Sequence, residues 1–319
     1  MSQFTLDSFA SDPVRIAVIG GSGLYKLDAL EQLGTADVQT PWGTPSNPIT
    51  IARLPTGQRV AFLARHGHTH SYNPSEVPFR ANIAALKAIG VRIILAFSAV
   101  GSLREEIRPG DFVLPSQLID RTKGIRPSTF FENGAASHAP FADPFYAKAA
   151  DLVAREAAIT VPNLKIHRDK TLICMEGPAF STRAESNLYR AWGGDVINMS
   201  VVPEAKLARE AEIAYQMVCM STDYDCWRVG GEDVTVQTVV ETMTGNSRNA
   251  KQLLLTLLPA LGETIATDAA VHVDEQEIKK QDRFFSDIDG CMRFACMTEP
   301  NAIPSETREK LHFILPQYY

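Results

Sequence analysis

The sequence lacks several features that would place it in a specialised class of protein. It has no apolar run approaching the roughly 20 residues that a membrane-spanning helix needs. Its 31 lysines and arginines are outnumbered by 37 acidic residues, giving a net charge of −6, whereas nucleic-acid-binding surfaces are usually basic. Met1–Asp12 is polar and has no basic segment, so it is not typical of a signal peptide. We therefore expect neither a membrane nor a nucleic acid as a partner.

Cysteine is also scarce, and its spacing is uninformative about metals. None of the five cysteines forms a Cys-x-x-Cys pair or shows the spacing of a metal site. Cys174 and Cys219 lie within apolar runs, where a reduced and buried thiol is the usual state. We therefore predict that the protein is located in a reducing compartment, namely the cytoplasm and also the nucleus.

What the sequence does contain is a repeated alternation of apolar runs and amphipathic segments. Val14–Gly20 and Val91–Ser98 are apolar, β-branched runs typical of buried strands. Phe79–Ile89 has apolar residues at helical spacing, with Pro78 at its start and Gly90 just beyond its end. The alternation predicts one α/β domain with a mixed, mainly parallel central sheet flanked by helices. Further strands are predicted over Val60–Ala64, Leu172–Met175, Asp195–Asn198 and Tyr215–Thr222, and further helices over Ser181–Trp192, Pro203–Glu212 and Asp233–Leu261.

One long segment near the C-terminus breaks this alternation. Glu263–Lys310 is polar and charged, with weak periodicity. We predict that Ala266–Pro304 is an insertion or flexible loop within a single domain that spans residues 1–319. Leu311–Leu315 is apolar again, so the chain is expected to return to the folded body there.

A glycine-rich segment follows the first predicted strand at residues 20–23. Glycines at such a position let backbone N–H groups approach an anion, and the Ser22 hydroxyl can donate to it. A dinucleotide-binding fingerprint would need glycine where Lys26 stands, so that interpretation fails. A plain tight turn explains the segment equally well.

The segment Arg65–His70 follows the second strand. Arg65 can bind phosphate oxygens at two points, and His66 can add a donor. Histidines at alternate positions also suggest a metal site, but Gly67 interrupts the strand and no cluster of Asp, Glu or Cys is near. The Arg-His-Gly tripeptide resembles the signature of histidine phosphatases, in which the histidine is the nucleophile. That alternative is weakened because those proteins carry the motif on their first strand.

Residues able to contact a ligand lie near the ends of other predicted strands. Ser98 closes a strand, where open α/β sheets bind ligands, although a sheet-end turn is the ordinary alternative. Phe180 could stack on a base or belong to the core, and Ser181 could simply begin a helix. Ser200 precedes a helix in the segment Asn198–Glu204, and a helix N-terminus favours an anion.

Asp223 and Asp225 form the most suggestive pair. Acids at positions i and i+2 of an extended segment point the same way. Buried together, they cannot both ionise cheaply, so the pKa of one should rise. A protonated donor beside an acceptor matches the edge of adenine, which presents an acceptor at N7 and donors at N6. A solvated acidic loop end remains the alternative for an arbitrary pair of this kind.

The order of these motifs is more specific than any one of them. In chain order they are GGSGL, ARHG-x-x-H, SAVGSL, EGPAFSTRAE, INMSVVPE and STDYDCW. This order resembles the trimeric purine nucleoside phosphorylase family, and within it the methylthioadenosine phosphorylase pattern. The resemblance extends from Val14 to Leu261 and includes the C-terminal HFILP, but departs in the polar segment between them. It assigns no role to His68 or Val100.

The resemblance implies a homotrimer that binds a nucleoside and inorganic phosphate and uses no metal or organic cofactor. The residues that it places around phosphate are Ser22, Arg65, His66, Ser98, Ser200 and, through its backbone, Ala99. Those that it places around the nucleoside are Met199 at the ribose, and Phe180, Ser181, Asp223, Tyr224 and Asp225 at the base, the two acids being catalytic. The residues implied at the 5' position are His138, Val236, Val239 and Ile314, of which His138 and Ile314 reach in from a neighbouring subunit.

Three positions distinguish branches of the family. Relatives that cleave 6-oxopurine nucleosides carry Glu at the position of Ser181, Asn at that of Asp223 and His at that of Val236. Ser181 and Asp223 suit a 6-amino group, and Val236 favours an apolar 5'-methylthio group because it cannot bond a hydroxyl. The resemblance thus implies phosphorolysis of methylthioadenosine. A 6-oxopurine nucleoside phosphorylase and a non-catalytic nucleoside-binding protein are the alternatives.

Overall fold

The computed structural model describes residues 2–21, 24, 27–228, 236–270 and 283–319. The strands are β1 (Ser2–Phe4), β2 (Ile16–Gly20), β3 (Glu31–Ala36), β4 (Ile49–Arg53), β5 (Arg59–Ala64), β6 (Ile93–Ser102), β7 (Phe112–Arg121), β8 (Ile166–Met175), β9 (Val196–Asn198) and β10 (Ala214–Tyr224). The helices are α1 (Phe79–Ala88), α2 (Ala147–Thr160), α3 (Arg183–Ala191), α4 (Val201–Glu210), α5 (Val236–Ala270) and α6 (Ser305–Ile314). Leu6–Phe9 and Pro300–Ala302 are short 3-10 helices.

The described strands form one mixed sheet in the order β1-β3-β4-β5-β2-β6-β10-β7-β8-β9. β2, β5, β6 and β10 run parallel to one another, whereas β7 pairs antiparallel with β10. β9 also pairs with β6, so that half of the sheet closes on itself. The prediction of a mixed α/β sheet flanked by helices is therefore confirmed.

Two hydrophobic cores lie on opposite faces of this sheet. Alternate side chains of β2 divide between them, because neighbouring residues of a strand point to opposite faces. Ala17 and Ile19 join the core that includes α1 and α4. Ile16 and Val18 join the core that includes α2 and α5. β2 is buried on both sides, which explains why it appears in the sequence as a continuous apolar run rather than an alternating one.

Helix α1 begins and ends where its flanking residues predict. It occupies Phe79–Ala88, and Gly90 just beyond it has a φ of 98°. A side chain at Gly90 would also be blocked, because its Cβ would lie 2.6 Å from the Cβ of Pro13. Glycine is therefore needed at this position for two reasons.

The expectation of a flexible loop is wrong for residues 283–304. Phe285, Ile288 and Met292 are at most 3% exposed and pack into the two cores. The backbone N–H of Met292 also donates to Glu212 Oε1 at 2.9 Å. Three apolar residues spaced three or four apart are enough to anchor this polar segment. Its first residues, 266–270, continue helix α5, and residues 271–282 lie outside the described ones.

No helix within the described ranges is both long enough and apolar enough to span a membrane.

Candidate active site

A cavity of about 850 Å³ opens at the carboxyl ends of the parallel strands. Its walls come from the residues that follow or end β2, β5, β6, β9 and β10, and from one face of helix α5. Parallel strands bring their carboxyl ends to one edge of the sheet, which is where α/β proteins bind ligands. The predicted site residues that line the cavity are Arg65, His66, Ser98, Ala99, Phe180, Ser181, Met199, Ser200, Asp223, Asp225 and Val239.

Arg65 is held by a buried ion pair at the floor of the cavity. Its Nε and Nη2 donate to the Glu204 carboxylate at 2.7 and 2.8 Å, and its Nη1 donates to the Phe97 carbonyl at 2.9 Å. Tyr215 donates its hydroxyl to the same carboxylate at 2.8 Å. A guanidinium has five N–H groups, so one remains on each of Nη1 and Nη2 for a ligand. Sequence reasoning missed Glu204 and Tyr215.

His66 is neutral at physiological pH. Burial, followed by the charge of Arg65, lowers its pKa to about 4. Its Nδ1 lies 2.9 Å from the carbonyl oxygen of Tyr72, which can only accept, so Nδ1 carries the proton. Nε2 of the neutral ring is then an acceptor. For this side chain to donate to phosphate, an arriving anion must raise its pKa.

Ser98 and Ser200 meet although 102 residues separate them in the chain. Their hydroxyl oxygens lie 3.3 Å apart, and Asn198 Nδ2 donates to Ser98 Oγ at 3.2 Å and to Ser200 Oγ at 3.4 Å. All three side chains are buried. The pairing of β9 with β6 brings them together, so Asn198 is a polar link that the sequence alone did not identify.

A second buried ion pair supports the segment that carries Met199. Arg126 Nε donates to Glu176 Oε1 at 2.7 Å. Arg126 Nη1 donates to the carbonyls of Met199 at 2.8 Å and Val202 at 2.6 Å. Arg126 was not among the predicted residues, since nothing in its surrounding sequence marks it.

The two predicted carboxylates face the cavity together. Burial, reinforced by the charge of Asp225, raises the pKa of Asp223 to about 6. Thr222 acts in the opposite direction by donating its hydroxyl to Asp223 Oδ1 at 2.6 Å. Burial also raises the pKa of Asp225, while the hydroxyl of Ser186 opposes that rise. Gly101 leaves room for the pair, because a Cβ there would lie 3.2 Å from Asp223 Oδ2.

The residue between the two acids points elsewhere, which corrects its predicted role at the base. Tyr224 does not line the cavity. Its hydroxyl donates to the Glu105 carbonyl at 3.2 Å, and the Arg228 guanidinium lies 4.1 Å from the centre of its ring. Alternate residues of a strand face opposite ways, so a Tyr between two inward carboxylates must point outward.

Phe180 and Ser181 form the cavity wall near the carboxylates. Phe180 is 46% exposed, so its ring is available to a ligand rather than being part of the core. Ser181 is buried, and its hydroxyl lies 3.4 Å from the sulfur of Met175. The capping box of α3, in which Thr182 accepts from the Glu185 backbone, positions both residues just before the helix.

The structure does not bring every predicted residue to the cavity. Ile314 is fully buried in the core of its own chain, which corrects the expectation that it reaches a neighbouring subunit. His138 is exposed and does not line the cavity of its own chain, so its role in a neighbour's site stays a prediction. Ser22 and the side chain of Val236 lie outside the described residues.

No three His, Cys, Asp or Glu side chains converge in a way that could hold a metal ion, as far as the described residues extend.

Known proteins resemble this chain over nearly its full length. A protein named S-methyl-5'-thioadenosine phosphorylase from Yarrowia lipolytica is 51% identical over 323 residues, covering 99% of this chain and 96% of that protein. The protein of the same name from Tuber melanosporum is 52% identical over 320 residues, covering 98% of each.

Solved structures are similar in fold as well as in sequence. A methylthioadenosine phosphorylase from an antarctic soil metagenomic library is 40% identical, with a TM-score of 0.82, over 96% of this chain and 100% of that one. The methylthioadenosine phosphorylase of Schistosoma mansoni in complex with adenine is 30% identical, with a TM-score of 0.79, over 89% of this chain and 99% of that one. Residues 15–259 match the Phosphorylase superfamily. The chain therefore belongs to the phosphorylase superfamily, as the order of its motifs indicated.

Proposed function

We propose that this protein is an S-methyl-5'-thioadenosine phosphorylase of methionine and purine salvage. It would convert S-methyl-5'-thioadenosine and phosphate into adenine and 5-methylthioribose 1-phosphate. The observation that carries the proposal is a pair of carboxylates, the half-buried Asp223 and the buried Asp225, in the same cavity as Arg65, Ser98 and Ser200. Relatives that carry this enzyme's name over their full length support it. The reaction needs phosphate as a co-substrate and no other cofactor.

The bond between N9 of adenine and C1' of the ribose breaks as a bond from a phosphate oxygen to C1' forms. Electrons of the breaking bond move into the adenine ring, and C1' acquires positive charge. Asp223, with its pKa raised to about 6, is suited to share a proton with N7 as this negative charge develops. General acid catalysis of this kind contributes about 10²- to 10⁴-fold. The two acids are coupled, so their roles can be exchanged.

Phosphate would bind where Arg65, Ser98 and Ser200 line the cavity, opposite the leaving base. Arg65 offers its two remaining N–H groups, and the two serines offer hydroxyls. The backbone of Ala99 and the loop at Gly21 also line this part of the cavity. Ser22 and His66 complete the proposed phosphate site.

The nucleoside would bind between Met199 and the carboxylates. Phe180 would stack on the base, which any purine face permits, and Ser181 would lie at its edge. Val239, with Val240 and Met243 from the same face of α5, gives the cavity an apolar wall suited to a methylthio group. Val236 would extend that wall.

The proposed assembly is a homotrimer with active sites near its interfaces, located in the cytoplasm and also in the nucleus. On and beside helix α3, Leu188 and Trp192 are each more than 40% exposed. Exposed apolar side chains grouped in this way are typical of interfaces, so a second protomer could cover them. His138 would then enter a neighbour's cavity.

The alternative of a 6-oxopurine nucleoside phosphorylase is supported only by the fold that it would share with this protein. Ser181 and Asp223 disfavour it, because that branch of the family carries Glu and Asn at these two positions. Membership of the phosphorylase superfamily removes the histidine phosphatase alternative.

Product analysis tests the proposal directly. The purified protein would be incubated with methylthioadenosine, adenosine and inosine, each with and without phosphate. The proposal expects adenine release from methylthioadenosine only when phosphate is present. Preferred cleavage of inosine would favour the 6-oxopurine alternative, and tight adenine binding without turnover would indicate a binding protein.

A further inference from the structure

One face of helix α5 changes character as it passes along the cavity. Val239 and Met243 give it an apolar first part. Ser247, Arg248 and Lys251 follow one to two turns later and also line the cavity. Residues three or four apart are neighbours on a helix surface, so Lys251 continues the stripe of Met243 and Ser247, and Arg248 lies beside Lys251.

Arg248 and Lys251 differ from the other cations of the site. Arg65 and Arg126 are buried, and each is neutralised by a glutamate. Arg248 is exposed and Lys251 half-buried, and within the described residues neither has an ion pair or a side-chain hydrogen bond. Their charges are therefore not cancelled by a partner in the described part of the chain.

The inner phosphate site carries little net positive charge of its own. The charge of Arg65 is balanced by Glu204 at 2.7 Å, and His66 is neutral because its pKa is lowered to about 4. Ser98 and Ser200 contribute only hydroxyl dipoles. The protein as a whole has a net charge of −6, so its overall field repels an anion.

We infer that Arg248 and Lys251 form an outer anion site at the cavity, which draws inorganic phosphate towards the inner site. This inference rests on the proposed function, because it needs phosphate as the co-substrate. The two cations attract the anion through water. The anion then moves to the inner site, where Arg65, Ser98 and Ser200 bind it by hydrogen bonds. They touch neither the base nor the reacting carbon, so they act on the capture of phosphate and not on bond cleavage.

The size of the effect follows from Coulomb's law. Two unit charges about 10 Å from a divalent anion, in water and partly screened by salt, change its local concentration by about three- to tenfold. The effect should be larger at low ionic strength, where the Debye length exceeds that separation.

Charge removal with a matched control tests the inference. The test variant is Arg248→Met/Lys251→Met, and the control is Lys165→Met/Arg168→Met, a pair with the same spacing that does not line the cavity. Both change the net charge equally. kcat/KM for phosphate and for methylthioadenosine would be measured at ionic strengths of about 20 and 300 mM.

The test variant should lose about three- to tenfold in kcat/KM for phosphate at low ionic strength and much less at high ionic strength. Its kcat at saturating phosphate should be unchanged. The control variant should match the wild type. The charge-preserving variant Arg248→Lys/Lys251→Arg should retain the wild-type salt dependence, which a purely structural role would not predict.

Two outcomes would overturn the inference. In the first, kcat/KM for phosphate of the Arg248→Met/Lys251→Met variant depends on ionic strength as it does in the wild type. In the second, the control variant loses as much kcat/KM for phosphate as the test variant. A wild-type protein without phosphate-dependent cleavage would instead refute the proposed function. If the double variant does not fold, the single variants Arg248→Met and Lys251→Met should each show a smaller loss in the same direction, and the absence of any loss in both would also overturn it.

Discussion

The guanidinium of Arg65 and the carboxylate of Glu204 form a two-point ion pair, with side chains that are 2% and 1% exposed. The contacts are 2.7 Å from Nε to Oε2 and 2.8 Å from Nη2 to Oε1. This geometry fixes the Arg65 side chain before any ligand arrives. Glu204 is thus a positioning residue for the proposed phosphate site.

Replacing Glu204 by Gln should destabilise the fold. The amide keeps the shape but leaves the Arg65 charge uncompensated in the core, which costs about 3–5 kcal/mol when one partner of a buried pair is lost. Denaturant unfolding measures the change. Glu106→Gln, on an exposed side chain, is the control and should leave the free energy of unfolding almost unchanged.

Replacing both partners separates stability from function. Arg65→Met/Glu204→Met removes both charges together, so it should recover much of the lost stability. It should still raise the KM for phosphate strongly while adenine binding persists. Unchanged dependence on phosphate in this variant would contradict the role assigned to Arg65.

Asp223→Asn should lower the turnover of adenine nucleosides by about 10²- to 10⁴-fold, the usual contribution of a general acid. In the wild type, kcat/KM for methylthioadenosine should fall as the pH rises through about 6, the raised pKa of Asp223. The variant should lack this dependence. A wild-type profile that stays flat between pH 5 and 7 would argue against Asp223 as the acid.

The same substitution should stabilise the protein at high pH. Burial raises the pKa of Asp223 from 3.8 to about 6, so folding favours its protonated form. The stability that this form provides is present below pH 4 and is lost as the pH rises through about 6. Asp223→Asn should therefore unfold with a free energy higher than that of the wild type at pH 8, on the order of 2–3 kcal/mol, but not at pH 4. Asp7→Asn, at an exposed residue, should show no such difference.

The 5' pocket should discriminate against a hydroxyl group. An apolar wall that includes Val239 leaves such a group unpaired, so methylthioadenosine should exceed adenosine by roughly 10- to 200-fold in kcat/KM. Val239→Asn should narrow this ratio, and so should Val236→His, whereas Val239→Leu should preserve it. Equal kcat/KM for the two nucleosides in the wild type would leave only a general adenosine phosphorylase.

Phe285 should contribute more to the free energy of unfolding than any charged residue of the polar segment. Its ring packs 6.4 Å from that of Tyr146 and lies under the Arg92 guanidinium at 4.5 Å. Phe285→Ala should cost about 3–5 kcal/mol of unfolding free energy. Phe294→Ala, in the same segment but 87% exposed, is the matched control and should cost far less. Similar effects of the two substitutions would contradict the packing described for this segment.

Local patterns in the sequence predicted six of the ten described strands, the first helix and the family. Strands β1, β3, β4 and β7 were not among those predictions. The run of β2 and the Pro78 and Gly90 that bound α1 act through nearest neighbours, so they are visible without a structure. The order of the motifs indicated the phosphorylase superfamily, which the matched residues 15–259 confirm. Asp223 and Asp225 could be paired in advance because their spacing in a strand sets their direction.

Only the tertiary structure decided which residues meet across long stretches of chain. Arg65 and Glu204 are 139 residues apart, and Arg126 and Glu176 are 50 apart, so no local pattern links either pair. Tyr224 was misplaced because neighbouring strand residues face opposite ways, a fact that motif matching ignores. Ile314 was misplaced because α6 packs against α1 and buries that side chain in its own chain. Burial depends on which residues are neighbours in space, whereas the sequence shows only which residues are neighbours along the chain.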